Sequence, residues 1–361
     1  MKPRTVTKEN RRFIQGAMII NAPSASLNLG EDGIKRISKI GENGNLVRFS
    51  YLSGQFIKSK IKEGLISREN VLSKPEIVQE KNKKNTPTSS CNPFVYLDDD
   101  LFGYMNVIES ENHINPGTTR VAPFKISYFL GKEGDISKDY AVKQNGALLE
   151  DGNLTTRPLD DNNRFFASTS YFGCFSIDVN YSGRFFRGST SGFKNISNNF
   201  PTKEYEAMLD KNSDEKEFIL KNEIRQKRIQ ELINSLPSIS GGARQATVYS
   251  DLAPKFIVLC ATDCGNHLFQ EIASIYEHFN IKALIEGVTD FKDNIKSNIY
   301  IALKSGFLEN KRSLIIEELK KYNSDNYNYK FIFNEDLSRI NEITNRFSSE
   351  VIPKIFDIKG V

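Results

Sequence analysis

The sequence predicts an α+β protein, an antiparallel sheet of ferredoxin-like βαββαβ order broken by two long insertions. Three observations carry that expectation. Apolar β-forming stretches and amphipathic helical stretches follow one another as strand, helix, insertion, strand, then strand, helix, strand. Residues 165–179, FFASTSYFGCFSIDV, place Phe165, Ala167, Tyr171, Phe175, Ile177 and Val179 on one face at the two-residue period of a strand. Residues 54–65, GQFIKSKIKEGL, put Ile57, Ile61 and Leu65 on one side of a helix.

FIQGAMIIN (13–21) reads as a buried strand, and APSASLN follows as a Pro/Ser-rich turn leading into a long basic loop. NLVRFSYL (45–52) is a second extended piece that runs into Ser53, an N-cap for the helix, with Gly64 placed to end it. On that helix Gln55, Lys58 and Lys62 share an arc beside the apolar side, so one face packs and its neighbour is free to bind. From 67 to about 125 the periodicity dissolves into polar runs and a Pro/Gly linker, an inserted subdomain. Residues 126–164 are rich in turn formers and suit a protruding hairpin. Further on, 213–236 reads as an amphipathic helix, ISGGARQATVYS as a glycine loop carrying Arg244 and Gln245, and KFIVLCA (255–261) as a strand. Helices are expected at about 267–280, at about 312–322 and at the end.

A chain of 361 residues with 39% hydrophobic and 26% charged content is long enough for a sizeable core, and no apolar run approaches the roughly 20 residues of a membrane span. No membrane partner is expected. The start, MKPRTVTKENRRF, is basic but lacks the apolar core of a secretory signal, and four scattered cysteines do not make a disulfide framework; both point to the cytoplasm. Net charge is +4 overall, but residues 1–62 hold twelve Lys/Arg against four acids, a local +8 that leaves −4 for the rest. Basic charge gathered in one sixth of the chain is what a polyanion-binding face needs.

Catalytic chemistry is sparse. His113 lies in the insertion and His267 and His278 on the expected helix, none beside the glycine loop, so no acid–base pair is assembled. Cys260, Cys264 and His267 lack a fourth ligand nearby, and Asp98, Asp99 and Asp100 read as a loop entering a packed aromatic segment. Gly241 and Gly242 precede Arg244 and Gln245 without a GxxxxGK[ST] or GxGxxG pattern, which gives nucleotide hydrolysis and dinucleotide binding no support. No catalytic residue, metal or cofactor is expected.

Six segments in order, NAPSASLN at 21–28, VRFSYLSGQFIKSKIKEG at 47–64, DDDLFGYM at 98–105, RVAPFKISYFLG at 120–131, SYFGCFSIDV at 170–179 and GGARQATVYSDLAPKFIV at 241–258, resemble the CRISPR-associated Cas-seven family. The likeness is to its type I-B branch, the DevR or Cst-two group. It covers most of the first 260 residues and thins to element order beyond them. The resemblance implies a hand-shaped subunit: an RRM-like palm (1–66 and 165–361), fingers (67–125) and a thumb hairpin (126–164). It implies copies assembled head to tail as the backbone of a Cascade surveillance complex. Their partners would be CRISPR RNA, target DNA through guide pairing, a large subunit and guide-end capping subunits, with no enzyme activity of the chain's own. Carried over by position, Ser24, Ser26, Asn28, Arg48, Ser53, Gln55, Lys58, Lys62, Gly242, Arg244 and Gln245 would contact the guide backbone, with Phe129, Leu130, Leu148 and Leu149 the candidates for the thumb's apolar wedge. Phosphate contacts suit a subunit that must accept any spacer. The alternative is a CRISPR RNA-processing or target-RNA endonuclease on the same core, for which Asp135, Asp139 and Asp151 of the thumb are the residues to examine. A transcriptional autoregulator, a label attached to the DevR group, would need a helix-turn-helix signature that the sequence lacks.

Overall fold

The computed structural model describes residues 11–357 apart from 26, 28, 31–32, 41–43, 69, 79–85, 107–112, 132–135, 139–141, 159–164, 191, 243–248, 274–276 and 278. Its main strands are β1 (Phe13–Ala25), β2 (Arg36–Ile40), β3 (Leu46–Leu52), β4 (Phe124–Ile126), β5 (Phe129–Gly131), β6 (Val142–Leu148) and β7 (Leu154–Pro158). They continue with β8 (Phe165–Asp178), β9 (Arg184–Phe186), β10 (Glu217–Ile219), β11 (Phe256–Thr262), β12 (Ile299–Leu303) and β13 (Phe331–Ile332). The helices are α1 (Gly54–Ser67), α2 (Leu97–Leu101), α3 (Asn222–Ser235), α4 (Ile281–Asp290), α5 (Glu309–Ser324), α6 (Ile340–Glu350) and α7 (Ile352–Phe356). The fold is α+β, and among the described residues no helix is long and apolar enough to cross a membrane.

β1 is buried along residues 13–20 because both of its faces are covered, which is why its sequence is nearly all apolar. It lies at the middle of a mixed sheet ordered β13-β12-β11-β1-β8-β5-β3-β2, with β4 and Ile136–Lys138 also pairing to β8. The neighbours of β1, β8 and β11, both run antiparallel to it. Alternate residues divide between two cores. Ile14, Met18 and Ile20 join Tyr171, Phe175 and Ile177 of β8 beneath α1, α3 and α6. Ala17 and Ile19 join Phe256, Val258 and Cys260 of β11 beneath α4 and α5.

Two glycines let aromatic rings lie flat on this sheet. A Cβ on Gly16 would overlap the Phe175 ring, and one on Gly173 would overlap the Phe129 ring. Phe129, expected in the apolar wedge of the hairpin, is therefore a core residue, fully buried in the slot that Gly173 leaves open. Gly173→Ala is expected to cost about 1–3 kcal/mol by overpacking, read as a lowered urea midpoint. Phe129→Leu in the same chain should recover part of the loss.

The structure departs from the sequence reading at six elements. Residues 22–25, expected as the start of a Pro/Ser-rich turn, continue β1, with Ala22 opposite Thr169 and Ala25 opposite Ala167 of β8 across a register shift. Residues 36–40, expected within a basic loop, pair with β3 as the edge of the sheet. α1 runs past Gly64 to Ser67, and Gly64 serves close packing instead: a Cβ there would lie 3.1 Å from the Ser235 carbonyl at the end of α3. The helix expected from 213 begins at Asn222, because Glu217–Ile219 pairs with β9 and sends Phe218 and Leu220 into a third cluster around Phe94, Phe185, Ile196 and Phe200. That cluster joins residues 184–220 to the segment before α2. The described part of 267–280 forms turns in place of a helix, since Gln15, fully buried on β1, takes its backbone. The Gln15 amide donates to the carbonyls of Cys264 (3.1 Å) and Asn266 (2.6 Å), and its oxygen accepts from Leu268 N (3.1 Å). Asp98–Asp100, expected as a loop, sit in the buried turn of α2.

Asp98 and Asp100 are held by cations and amides from distant segments, Asp99 by a nearby backbone amide. Asp100 accepts from Arg120 (2.5 Å), Arg228 of α3 (2.7 Å) and Gly183 N (3.0 Å). Arg120 also reaches the carbonyls of Asp100, Arg184 and Tyr181 and lies 4.6 Å from the ring centroids of both Tyr181 and Phe185. Asp99 accepts from Asn92 N (2.8 Å), and burial, reinforced by Asp98, pushes its carboxyl up to about 6.

Candidate nucleic-acid interface

Ser53 caps α1 by accepting from Phe56 N at 3.2 Å, which fixes the helix phase and sends Ile57, Ile61 and Leu65 into the core. The same phase leaves Gln55 and Ser59 exposed and Lys58 and Lys62 half-buried on the flank. Their ammonium groups lie over aromatic rings, Lys58 Nζ 5.9 Å from the Phe102 centroid and 6.0 Å from that of Phe124, and Lys62 Nζ 5.6 Å from that of Phe102. The two lysines are not equivalent. Lys62 pairs at 2.8 Å with Asp98, whose side chain is only 1% exposed and also accepts from Ser73 N (2.9 Å). Its charge is largely answered inside the protein. Lys58 has no such carboxylate among the described residues, and burial, with the nearby Lys62 second, pushes its ammonium down to about 8. An anion placed against Lys58 would offset both effects by stabilising its charged form.

β3 leads straight into Ser53. Ser50 meets the Tyr171 hydroxyl at 3.1 Å and Leu52 enters the core beneath α1, so the alternation of the strand puts Arg48 on the same face, exposed, opposite Ser38 of β2. Lys35, Arg36 and Lys39 are exposed on the same hairpin. The glycine loop also comes to α1: a Cβ on Gly241 would lie 2.9 Å from the Glu63 carboxylate and 3.0 Å from the Lys60 ammonium. Gly241 (φ 86°) and Gly242 (φ 153°) both occupy backbone regions that suit glycine. Arg244 and Gln245 lie outside the described residues, as do Ser26, Asn28 and the side chain of Ser24. Consecutive β3 and α1 thus carry Arg48, Ser53, Gln55, Lys58 and Lys62, whereas Gly241 meets α1 at Lys60 and Glu63, which the helical period places on the other flank from the Gln55, Lys58 and Lys62 arc.

β6 and β7 form a hairpin whose turn is closed by Leu149 N to the Asn153 carbonyl (2.8 Å) and Gly152 N to the Leu149 carbonyl (3.0 Å). Leu148 pairs across from Leu154, and the two are 72% and 70% exposed, with Leu149 exposed beside them. Leu154 escaped the sequence reading, though its place opposite a two-leucine strand end was the available signal. Leu130 lies in the main sheet, paired with Phe172 and Tyr51, away from this tip.

The candidate acids and bases are engaged locally. His113 is buried, accepts from Asn115 N (3.1 Å) at Nδ1 and faces the Ser89 carbonyl (3.3 Å) at Nε2. His267 donates from Nε2 to the Phe175 carbonyl (2.9 Å), and burial lowers its pKa. His278, Asp135 and Asp139 lie outside the described residues. Asp151 is exposed and accepts from the backbone (3.0 Å) and side-chain amide (2.9 Å) of Asn153, which lowers its pKa. Among the described residues no three His, Cys, Asp or Glu side chains are grouped to hold a metal ion.

No family model matches this chain, and no curated protein does. Solved structures do. A chain of a "CRISPR RNA-guided surveillance complex, pre-nicking" aligns with 93% of this chain and 99% of its own length at 8% identity, with a TM-score of 0.53. The two chains share a fold. A chain of a "CRISPR RNA-guided surveillance complex" aligns with 82% of this one and 91% of itself at 10% identity and a TM-score of 0.43.

Proposed function

We propose that this chain is a non-catalytic backbone subunit of a type I-B Cascade complex in the cytoplasm, a member of the Cas-seven family that oligomerises along a CRISPR RNA and presents its spacer for pairing with target DNA. The observation that carries this reading is the strip on α1. Gln55, Lys58 and Lys62 share one flank of a helix that begins where the basic β2–β3 hairpin ends and rests against Gly241, on a fold shared with a surveillance-complex chain. The reading includes a ferredoxin-like palm, supported by the order β11-β1-β8-β5 with α1 and α3 on one face. It takes β6–β7 as the thumb, whose exposed Leu148, Leu149 and Leu154 suit insertion between bases. The engagement of His113 and His267 in backbone hydrogen bonds favours binding over cleavage.

Coexpression with a repeat–spacer array followed by electron microscopy and RNA extraction tests the proposal. A curved filament holding RNA of full repeat–spacer length is expected, whereas a monomer that shortens the RNA would sink it.

Lys58 makes binding depend on pH. Its pKa of about 8 in the folded protein is below the 10.5 of the free side chain, so the folded chain sheds the proton first. Its contribution to stability therefore rises with pH between those two values. RNA affinity moves the opposite way, because a phosphate recruits the charged form. Affinity should fall as pH is raised from about 7 to about 9. Lys58→Arg, charged throughout, should flatten that profile when binding is followed by fluorescence anisotropy.

A further inference from the structure

The face of the sheet opposite α1 is covered unequally. α4 and α5 close it over β11 and β12, where Leu284, Val288, Ile315 and Leu319 pack on Phe256 and Val258. Towards β8, β5 and β2 a groove of about 570 Å³ remains, lined by Lys39, Lys125, Tyr128, Leu130, Phe172 and Cys174. Strand alternation places it on the far side from the α1 strip, since Tyr171 and Phe175 of β8 enter the core under α1 while Phe172 packs on the opposite side. Tyr128 stands at its mouth, 56% exposed, with its ring centroid 5.1 Å from that of Tyr51 at 35°. Lys125, paired across from Ser176, and Lys39 on the edge strand are both exposed. Among the described lining residues Glu271 is the one carboxylate against Lys39 and Lys125, a net positive charge.

We propose that this groove is a second nucleic-acid surface that takes unpaired nucleotides of a DNA strand, with Tyr128 stacking on a base and Lys39 and Lys125 meeting the phosphates on either side. Charge complementarity chooses the occupant: an apolar partner would leave both ammonium groups to be desolvated, whereas a single strand supplies an anion for each and a flat ring for the tyrosine. Aromatic rings flanked by cations on an open sheet face bind single strands with little sequence preference. Only the source of the strand rests on the guide-binding reading, because pairing of a guide with one strand of a duplex leaves the other unpaired.

The chain contains no tryptophan, so Tyr128→Trp provides a single fluorophore at the groove. Titration of the full-length Tyr128→Trp protein with an oligothymidylate should quench it saturably. Adding Lys39→Ala and Lys125→Ala should weaken the midpoint roughly tenfold and reduce its salt dependence. Lys58→Ala should leave the midpoint in place. Absent quenching, a midpoint indifferent to the two lysines, or one that moves with Lys58 would each overturn the proposal. Tighter quenching by an oligouridylate would overturn the assignment to DNA. Because a repeat–spacer RNA on α1 is read separately by anisotropy, failure of the guide-binding reading leaves a different signature from failure of this one.

Discussion

Asp100→Ala is expected to remove about 3–5 kcal/mol of stability, a large share of the roughly 5–15 kcal/mol that holds a folded protein together. The reason lies in what the carboxylate leaves behind. Arg120 and Arg228 both point at it, and the side chains of Asp100 and Arg120 are fully buried. Removing the acid strands two desolvated guanidinium groups and the Gly183 N–H together. Arg120 would keep its carbonyl and ring contacts, so the damage should concentrate where the 94–120 segment, the turn at 181–184 and α3 meet. Urea titration measures the loss, and limited proteolysis locates it, with early cleavage expected around residues 184–220. A comparison variant, Arg187→Ala, sits in the same region but over Phe218 at 5.1 Å without touching Asp100, and it should lose much less. Equal losses for the two would show that Asp100 is not the hub.

How much of this was legible in the sequence depended on whether the determining contact was local. α1 and β8 were readable because their periods of 3.6 and 2 are written over a dozen adjacent residues, β1 because it is a short apolar run, and Ser53 announced the start of α1 three residues ahead of the N–H it accepts. Glu217–Ile219 was not, because an apolar triplet directly before a helix has the composition of the helix itself, and only the distant β9 makes it a strand. Residues 267–273 carry a helical pattern that loses to one buried glutamine some 250 positions earlier. The aspartate run was readable as acidic but not as neutralised, since Lys62, Arg120 and Arg228 come from three separate elements.

The candidate site divides in the same way. The spacing of Gln55, Lys58 and Lys62 is a property of α1 alone and could be read off. That Lys62 answers Asp98 while Lys58 does not is a tertiary fact that changes which residue matters. Phe129 failed as a wedge candidate because an aromatic beside turn formers looks exposed until the glycine opposite it is known. The groove on the second face was invisible because Lys39 comes from β2, far from Lys125 of β4 and Tyr128 of the link to β5, and only the sheet sets them side by side.

The inequality of the two lysines sets the second large effect. Lys58→Ala combined with Arg48→Ala should weaken binding of a repeat–spacer RNA by roughly ten- to a hundredfold, uniformly across spacer sequences, because both residues would meet phosphates and neither would read a base. The dependence of log affinity on log salt should flatten by about 0.7 for each phosphate that the protein no longer neutralises. Stability should hardly change: Arg48 is exposed, and Lys58→Ala removes a cation that burial already penalises. Lys62→Ala is expected to behave differently. It leaves Asp98 buried with Ser73 N as its one hydrogen-bond partner among the described residues, so the protein should lose stability as well as affinity. A melting curve run beside each anisotropy titration separates the two kinds of loss. Full affinity in the Lys58→Ala, Arg48→Ala protein would move the guide off α1. A drop confined to some spacers would mean that the strip reads bases, which contradicts the proposed backbone-binding role.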